Sequence, residues 1–227
     1  MALTEEARAR LATQAAEIIG RYPRARSALL PLLHLVQSEE GYVSEGGIAF
    51  CAAQLDLSEA EVTGVASFYT LYKRKPVGEY HVGVCTTALC AAMGGDAILA
   101  DLKEHLGVGI DEVTPDGRVS YEHVECNAAC DYAPVVMVNW EFFDNMTPAK
   151  SRELVDGLRS GADVVPTRGA PRLATWKQAS KILAGFPDDQ ATGGDTAGEP
   201  SLAGLRIAKE QGWRPDGSGG TSAGGQQ

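Results

Sequence analysis

The stretch that decides the fold spans residues 80–90 and reads YHVGVCTTALC. Over residues 80–84 large apolar side chains alternate with glycine or a polar residue, which predicts a β-strand that ends at Cys85. A second cysteine, Cys90, follows after a gap of four residues. Functional sites of α/β folds usually lie just beyond the carboxyl ends of strands, so this placement predicts a site at the end of the strand.

A second pair of cysteines, Cys126 and Cys130, has three residues between its members and lies 35 residues beyond the first pair. Neither pair has the Cys-x-x-Cys spacing of zinc ribbons or thioredoxin-type dithiols, so both of those interpretations fit poorly. The spacing suits a [2Fe-2S] cluster, because each iron of such a cluster takes two terminal thiolates. We predict that Cys85 and Cys90 bind one iron and that Cys126 and Cys130 bind the other. A structural zinc site and unrelated buried cysteines are the alternatives.

The residues around the cysteines are small or carry hydrogen-bond donors. We expect backbone N–H groups and side-chain donors to face the cluster sulfurs, and small residues to let the backbone approach closely. The donors are Thr86, Thr87 and Asn127, and the small residues are Ala128, Ala129, Gly94 and Gly95.

The charges near the cysteines are acidic. Neither residues 76–102 nor residues 119–149 contain a lysine or an arginine, and Glu125 and Asp131 flank the second pair. Reduction adds a negative charge to the cluster, which nearby carboxylates oppose. We therefore predict a midpoint potential near or below roughly −400 mV, at the low end of the binuclear range.

Other candidate ligands are weak. Cys51 lies on an apolar helical pattern and is interpreted as a small core hydrophobe. The chain has no GxGxxG motif, no P-loop and no nucleophile triad, so we expect it not to bind NAD or flavin by itself. The four histidines have no metal-ligand spacing; they are His34, His81, His105 and His123.

The composition is that of a globular protein, with 227 residues, a formal net charge of −10 and an isoelectric point of about 4.9. Such a surface repels phosphate backbones and anionic lipids, so nucleic-acid binding is not expected. No apolar stretch approaches the ~20 residues that cross a bilayer, so no direct membrane insertion is expected. The N-terminus lacks a signal-peptide pattern, and we expect a cytoplasmic protein in which five cysteines do not form a disulfide framework.

Residues 1–76 predict a small helical bundle with four capped helices. The predicted capping residues are Thr4, Ser27, Ser44 and Ser58.

Residues 77–165 predict the order β-α-β-β-β-α, which is typical of a thioredoxin-like α/β core and makes the fold class α/β (α+β). The predicted strands start at Tyr80, Val119, Pro134 and Trp140, and the helices span residues 96–106 and 147–161.

Residues 166–227 predict an extension that is largely flexible. Only residues 173–183 predict one more short helix, and from Pro187 onward the chain is rich in glycine and poor in apolar residues, which predicts a disordered C-terminal tail. Within it, residues 201–213 (SLAGLRIAKEQGW) form an apolar and basic island. We interpret the island as a segment that binds a partner in extended or short-helical form.

Several motifs together resemble the NuoE-type subunit of bacterial NADH:quinone oxidoreductase, respiratory complex I. The resemblance covers roughly residues 5–165. Its motifs are LPLLH (30–34), GYV (41–43), GVASFY (64–69), PVGEYHVGVC (76–85), ECNAAC (125–130) and APVV (133–136), together with the gap from Cys85 to Cys90.

The resemblance implies a helical N-terminal part followed by a thioredoxin-like ferredoxin domain that holds one [2Fe-2S] cluster. It implies Cys85, Cys90, Cys126 and Cys130 as the ligands. It also implies an electron-carrier subunit that is not catalytic alone. Its partners would be a flavin subunit that binds FMN and NADH and a large iron–sulfur subunit, on the peripheral arm of a membrane-bound complex.

The chain departs from many relatives beside the second cysteine. Leu89 stands where they have proline, and residues 91–95 (AAMGG) replace an aromatic and basic stretch. These departures leave the ligands in place and put the cluster potential and the local subunit contact in question.

Three rival functions share part of the pattern. The equivalent subunit of an NAD-linked formate dehydrogenase or hydrogenase would carry the same motifs. A zinc-stabilised structural subunit would carry the cysteines without electron transfer. A free-standing ferredoxin fits less well, because a diffusible carrier needs no helical docking segment.

Overall fold

The computed structural model describes residues 4–189, 194 and 196–214, and the chain divides into two units, Met1–Gly194 and Asp195–Gln227. The helices of the first unit are α1 (Glu5–Ile19), α2 (Leu29–Glu40), α3 (Glu45–Leu55), α4 (Glu59–Phe68), α5 (Ala88–Ala92), α6 (Gly95–Leu106), α7 (Pro148–Ser160) and α8 (Trp176–Leu183). Its strands are β1 (Tyr80–Cys85), β2 (Val119–Val124), β3 (Val136–Val138) and β4 (Glu141–Phe143).

Helices α1 to α4 form the predicted bundle, and local capping explains most of their starts. Thr4, Ser44 and Ser58 each accept a hydrogen bond from a backbone N–H of the first turn, and Ser58 also completes a capping box with Glu61. The prediction for Ser27 is wrong. It lies inside a 3₁₀ turn, Ala25–Ala28, where its N–H already donates to Arg24 O at 3.0 Å, and it is not the extended residue that a cap requires.

The bundle has its own apolar core, which includes Cys51 as a fully buried side chain. Burial raises the pKa of the Cys51 thiol to about 12, so this cysteine stays protonated and packs as an apolar group. The prediction that Cys51 is a core residue agrees with this position. Other fully buried members are Leu32, Leu33, Leu35, Val36 and Val62.

The four strands form one mixed sheet in the order β2-β1-β3-β4. Strand β1 pairs parallel with β2 from Tyr80 opposite Val119 to Cys85 opposite Val124, and antiparallel with β3. The parallel pair requires a crossover, which α6 supplies between the two strands. The predicted order of elements and the thioredoxin-like α+β class are confirmed, with α5 as a short helix that the sequence did not predict.

The boundaries of the strands differ slightly from the prediction. Strand β3 begins at Val136 rather than at Pro134. Strand β4 begins at Glu141 rather than at Trp140, because Asn139 and Trp140 turn the chain with positive φ angles of 48° and 76°. The core of the sheet is formed by residues from its inward positions and from α6 and α7. They include Val82, Val84, Ile98, Leu102, Tyr121, Val136, Val138 and Val155.

Residues 173–186 pack against the rest of the first unit, and α8 lies within the short helix that the sequence predicts over residues 173–183. The expectation of a largely flexible extension therefore does not hold for this segment. Helix α8 begins at Trp176, which is only 1% exposed, and it is capped by a Thr175–Gln178 capping box. Gln37 in α2 donates to Ser180 at 3.3 Å. We call residues 173–186 the strap; its burial depends on contacts with distant residues that local composition does not reveal.

The second unit contains α9, Glu199–Glu210, a twelve-residue helix with no buried residue. The sequence predicts an extended or short-helical form for the island at residues 201–213, and α9 has the short-helical form. Pro200 in the first turn favours helix initiation, whereas Gly204 costs only about 1 kcal/mol. The predicted disorder of residues 190–193, 195 and 215–227 lies outside the described residues.

No helix among the described residues is both long and apolar enough to span a membrane.

Candidate metal centre

The four predicted cysteines line one cavity of about 110 Å³. Cys85 is the last residue of β1, Cys90 lies in α5, Cys126 follows β2 by two residues, and Cys130 opens a short 3₁₀ helix. Two neighbouring parallel strands therefore deliver one cysteine pair each to the same edge of the sheet. The structure brings the four predicted cysteines together, and their assignment as thiolate ligands stays a proposal.

The two pairs differ in exposure. Cys85 and Cys90 are each 3% exposed, whereas Cys126 and Cys130 are exposed. One side of the cavity therefore faces the interior of the domain and the other faces its surface.

One cysteine sulfur accepts a hydrogen bond from the backbone, and another donates one to it. The N–H of Ala128 donates to Cys126 Sγ at 3.3 Å, while Cys85 Sγ donates to the carbonyl of Glu125 at 3.5 Å. Burial raises the pKa of Cys90 to about 11, and the backbone N–H of Val135 partly offsets that shift. Without a metal, the Cys90 thiol therefore keeps its proton. Iron binding would displace that proton and stabilise the thiolate.

The walls of the cavity fit a compact inorganic group. A Cβ at Gly95 would lie 2.4 Å from the carbonyl oxygen of Cys85, so only glycine lets α6 begin this close to the cysteine loop. Ala128 has a φ of 51° and places its N–H toward Cys126. Gly95 and Ala128 thus let the backbone approach the cysteines closely, as the sequence predicts.

The side-chain donors are only partly as predicted. Thr87 and Asn127 line the cavity, and Asn127 Nδ2 is buried without a hydrogen-bond partner. Thr86 does not line it; its N–H donates to the carbonyl of Val124 at 3.4 Å. Leu89, Val135 and Ala129 also line the cavity.

The donor set fits a binuclear iron–sulfur cluster. Within residues 4–189, 194 and 196–214, no three His, Cys, Asp or Glu side chains are arranged around a single metal ion. The four sulfurs line one cavity but do not surround a single ion. This arrangement suits a [2Fe-2S] cluster, in which each of the two irons takes two thiolates. The orphaned donor of Asn127 also suits the sulfur of such a group.

A charged network that the sequence did not predict lies beside this centre. Lys73 Nζ contacts Glu122 Oε1 at 2.5 Å, and His81 Nε2 lies 2.9 Å from the same oxygen. The sequence windows around the cysteines, residues 76–102 and 119–149, contain no lysine or arginine. Lys73 and Arg168 nevertheless reach carboxylates inside them, and Arg168 Nε lies 2.8 Å from Asp144 Oδ2. Glu122 and Asp144 are therefore paired with cations from outside those windows, and the low potential expected from Glu125 and Asp131 stays a prediction.

The network contains a neutral histidine and an ionised carboxylate. Burial lowers the pKa of His81, whose Nδ1 contacts Ser120 Oγ at 2.8 Å. Burial also acts to raise the pKa of Glu122, but the contacts with His81 and Lys73 hold it below its ordinary value. His81 is thus structural, and its contacts with Ser120 and Glu122 join β1 to β2 four residues before Cys85.

Comparison with known proteins agrees with this centre. The chain is 64% identical over 205 residues to a Mycobacterium tuberculosis (strain H37Rv) protein that is named as a subunit of NADH-quinone oxidoreductase, a match that covers 89% of this chain and 80% of the relative. It is 42% identical over 148 residues to "NADH-quinone oxidoreductase subunit 2" of Thermus thermophilus, with 64% of this chain and 82% of the relative covered.

Solved structures show the same fold. The NAD⁺-reducing [NiFe]-hydrogenase in its air-oxidised state matches with a TM-score of 0.52 and 20% identity over 59% of this chain and 23% of the hydrogenase chain. At that identity the likeness concerns the fold alone. Residues 15–159, well over half of the sequence, match the family described as "Thioredoxin-like [2Fe-2S] ferredoxin". The chain therefore belongs to the thioredoxin-like [2Fe-2S] ferredoxin family.

Proposed function

We propose that this chain is the electron-carrier subunit of an NADH-quinone oxidoreductase. Cys85, Cys90, Cys126 and Cys130 hold one [2Fe-2S] cluster, which exchanges single electrons with a flavin on an NADH-binding partner subunit. The observation that carries the proposal is the shared cavity of the four cysteines, in a chain that is 64% identical to proteins named as subunits of NADH-quinone oxidoreductase.

The chain contributes ligands, polarity and shape to the centre. The cysteine thiolates hold the metal, and the N–H groups of Ala128 and Val135 stabilise sulfur charge. The buried side chains of Ala129 and Val135 keep water from the inner side of the cavity. When bound, the cluster supplies one-electron redox chemistry, which no side chain of this protein provides.

FMN and NADH belong to the flavin subunit in this proposal, and a large iron–sulfur subunit is the second partner. The assembly places the chain on the cytoplasmic peripheral arm of a membrane-bound complex. The 20% identity to a hydrogenase does not favour a hydrogenase subunit, because it concerns the fold alone, whereas the 64% identical relatives carry the oxidoreductase name.

Purification of the tagged full-length chain from its own cells under mild conditions tests the proposal. We expect co-purification of a flavoprotein and of membrane subunits with NADH-quinone reductase activity, and reduction of a binuclear centre on this chain by NADH. Co-purification with hydrogenase or formate dehydrogenase subunits instead, or a colourless zinc-containing chain, would overturn it.

A further inference from the structure

Asn127 carries an orphaned hydrogen-bond donor at the candidate metal centre. Several buried side-chain nitrogen and oxygen atoms have no hydrogen-bond partner, and among the described residues Asn127 Nδ2 is the one that belongs to the lining of the four-cysteine cavity. This nitrogen is buried although Asn127 directly follows the exposed Cys126. A buried donor without a partner destabilises a fold, so its presence beside the sulfurs calls for a physical reason.

The wall of the cavity offers this donor few side-chain acceptors. Besides the four cysteines, the lining consists of alanine, leucine and valine side chains and of Thr87, which is exposed. The buried acceptors at this wall are therefore sulfur atoms. Cys126 Sγ already accepts a hydrogen bond from the N–H of Ala128 at 3.3 Å, so two successive residues of one loop carry donors beside the cysteines.

Burial makes the donor of Asn127 more effective than an exposed one. Water competes for the hydroxyl of Thr87, whereas the amide nitrogen of Asn127 is shielded from water and lies where the low local dielectric strengthens a hydrogen bond. Reduction adds a negative charge to a cluster that four thiolates already make negative. A fixed donor therefore stabilises the reduced form more than the oxidised form.

We propose that the side-chain amide of Asn127 donates a hydrogen bond to a sulfur of the bound [2Fe-2S] cluster and thereby raises its midpoint potential. This inference rests on the cluster of the proposed function and adds a residue that sets its potential. Glu125 and Asp131 flank the same pair of cysteines and act in the opposite direction. The potential of the centre is then a balance between two carboxylates and one amide within residues 125–131.

The test is a potentiometric EPR titration of the full chain with its cluster, in which only residue 127 changes. Asn127→Leu keeps the approximate size of the side chain and removes the donor, whereas Asn127→Asp keeps the shape and replaces the donor by an acceptor. We expect Asn127→Leu to make the equilibrium constant for one-electron reduction about tenfold smaller, which is a fall of about 59 mV. Asn127→Asp should lower the potential further, and Asn127→Gln, which keeps an amide, should lower it less than Asn127→Leu does.

Thr86→Val is the matched control. It removes a hydroxyl donor next to Cys85, but Thr86 does not line the cavity, so the potential should equal that of the unmodified chain. A second measurement follows the hydrogen atom itself. Proton ENDOR of the reduced cluster, recorded in H₂O and in D₂O, should show one exchangeable coupling fewer in Asn127→Leu and an unchanged set in Thr86→Val.

The outcomes separate this inference from the function beneath it. A chain without a binuclear iron centre would remove both. A centre with the same potential and the same exchangeable couplings in Asn127→Leu as in the unmodified chain would leave the proposed function intact and overturn the role of Asn127. An equal fall in Thr86→Val would also overturn it, because loss of any neighbouring polar group would then suffice. If Asn127→Leu does not retain the cluster, equal potentials in Asn127→Asp and Asn127→Gln would overturn the inference, and a lower potential in Asn127→Asp would support it.

Discussion

The indole Nε1 of Trp176 donates a hydrogen bond of 2.7 Å to the carbonyl oxygen of Gly41, 135 residues earlier in the chain. The backbone N–H of Trp176 donates to the carbonyl of Glu79 at 2.8 Å, at the start of the sheet domain. One residue therefore joins the helical bundle to the cluster domain. The strap holds both parts of the first unit in one arrangement.

We expect Trp176→Ala to destabilise the protein by about 3–5 kcal/mol, because it removes a buried aromatic ring and leaves the Gly41 carbonyl without its donor. Trp213→Ala is the matched control, since Trp213 is 61% exposed. Denaturant unfolding of the two variants measures the difference. Equal midpoints for both would show that the strap does not stabilise the fold.

A buried histidine makes stability depend on pH. Burial lowers the pKa of His34 to about 4, below the ordinary value of 6.5. The unfolded chain therefore binds a proton at this residue before the folded chain does, and stability is lost as pH falls from about 6.5 toward 4. For His34 alone the loss at pH 5 is roughly 2 kcal/mol relative to pH 8.

His34→Gln removes that titration and should flatten the stability profile between pH 8 and pH 5. His123→Gln changes an exposed histidine and serves as the control. Urea unfolding at each pH provides the comparison. A His34→Gln profile as steep as that of the unmodified chain would mean that burial of this imidazole is not what makes the fold sensitive to acid.

The carboxylates beside the second cysteine pair should lower the cluster potential. We expect Glu125→Gln and Asp131→Asn to raise the midpoint potential by tens of millivolts, on the order of 1 kcal/mol each, because each removes a negative charge near a centre that gains one on reduction. Glu6→Gln, in α1, is the control. A potentiometric EPR titration measures the shift, and no increase in either variant would show that solvent screens these charges.

The second unit is expected to act as a tether. Helix α9 exposes Leu202, Leu205 and Ile207, with Arg206 and Lys209 on the same short helix. Deletion of residues 187–227 should spare the cluster and loosen the hold of this chain on its assembly at raised salt, which co-purification at increasing ionic strength would reveal. Retention equal to that of the full chain would leave α9 without a docking role.

Local chemistry made much of the fold and the centre predictable. The alternation over residues 80–84 places β1, the hydroxyls of Ser44, Ser58 and Thr147 start helices where the sequence indicates, and the cysteine spacing selects the residues that share a cavity. Each of these signals acts over a few neighbouring residues.

Long-range contacts explain what the sequence did not reveal. The burial of Trp176 requires Gly41 and Glu79, and the ion pair of Glu122 requires Lys73, 49 residues before it. Ser27 does not cap α2, because it lies within the 3₁₀ turn Ala25–Ala28 that precedes the helix. Composition between residues 166 and 189 gives no hint of the surfaces against which the strap packs.

The most direct test of the central claim is metal analysis and EPR of the chain purified without oxygen, beside its cysteine variants. We expect two irons and two sulfides per chain and, after reduction, one rhombic binuclear EPR signal. Cys126→Ser and Cys130→Ser should destabilise or remove the cluster, and Cys51→Ala should retain it, because Cys51 lies buried in the bundle core. One zinc per chain without visible absorbance would rule out the cluster, and loss of iron in Cys51→Ala but not in Cys130→Ser would rule out the proposed ligands.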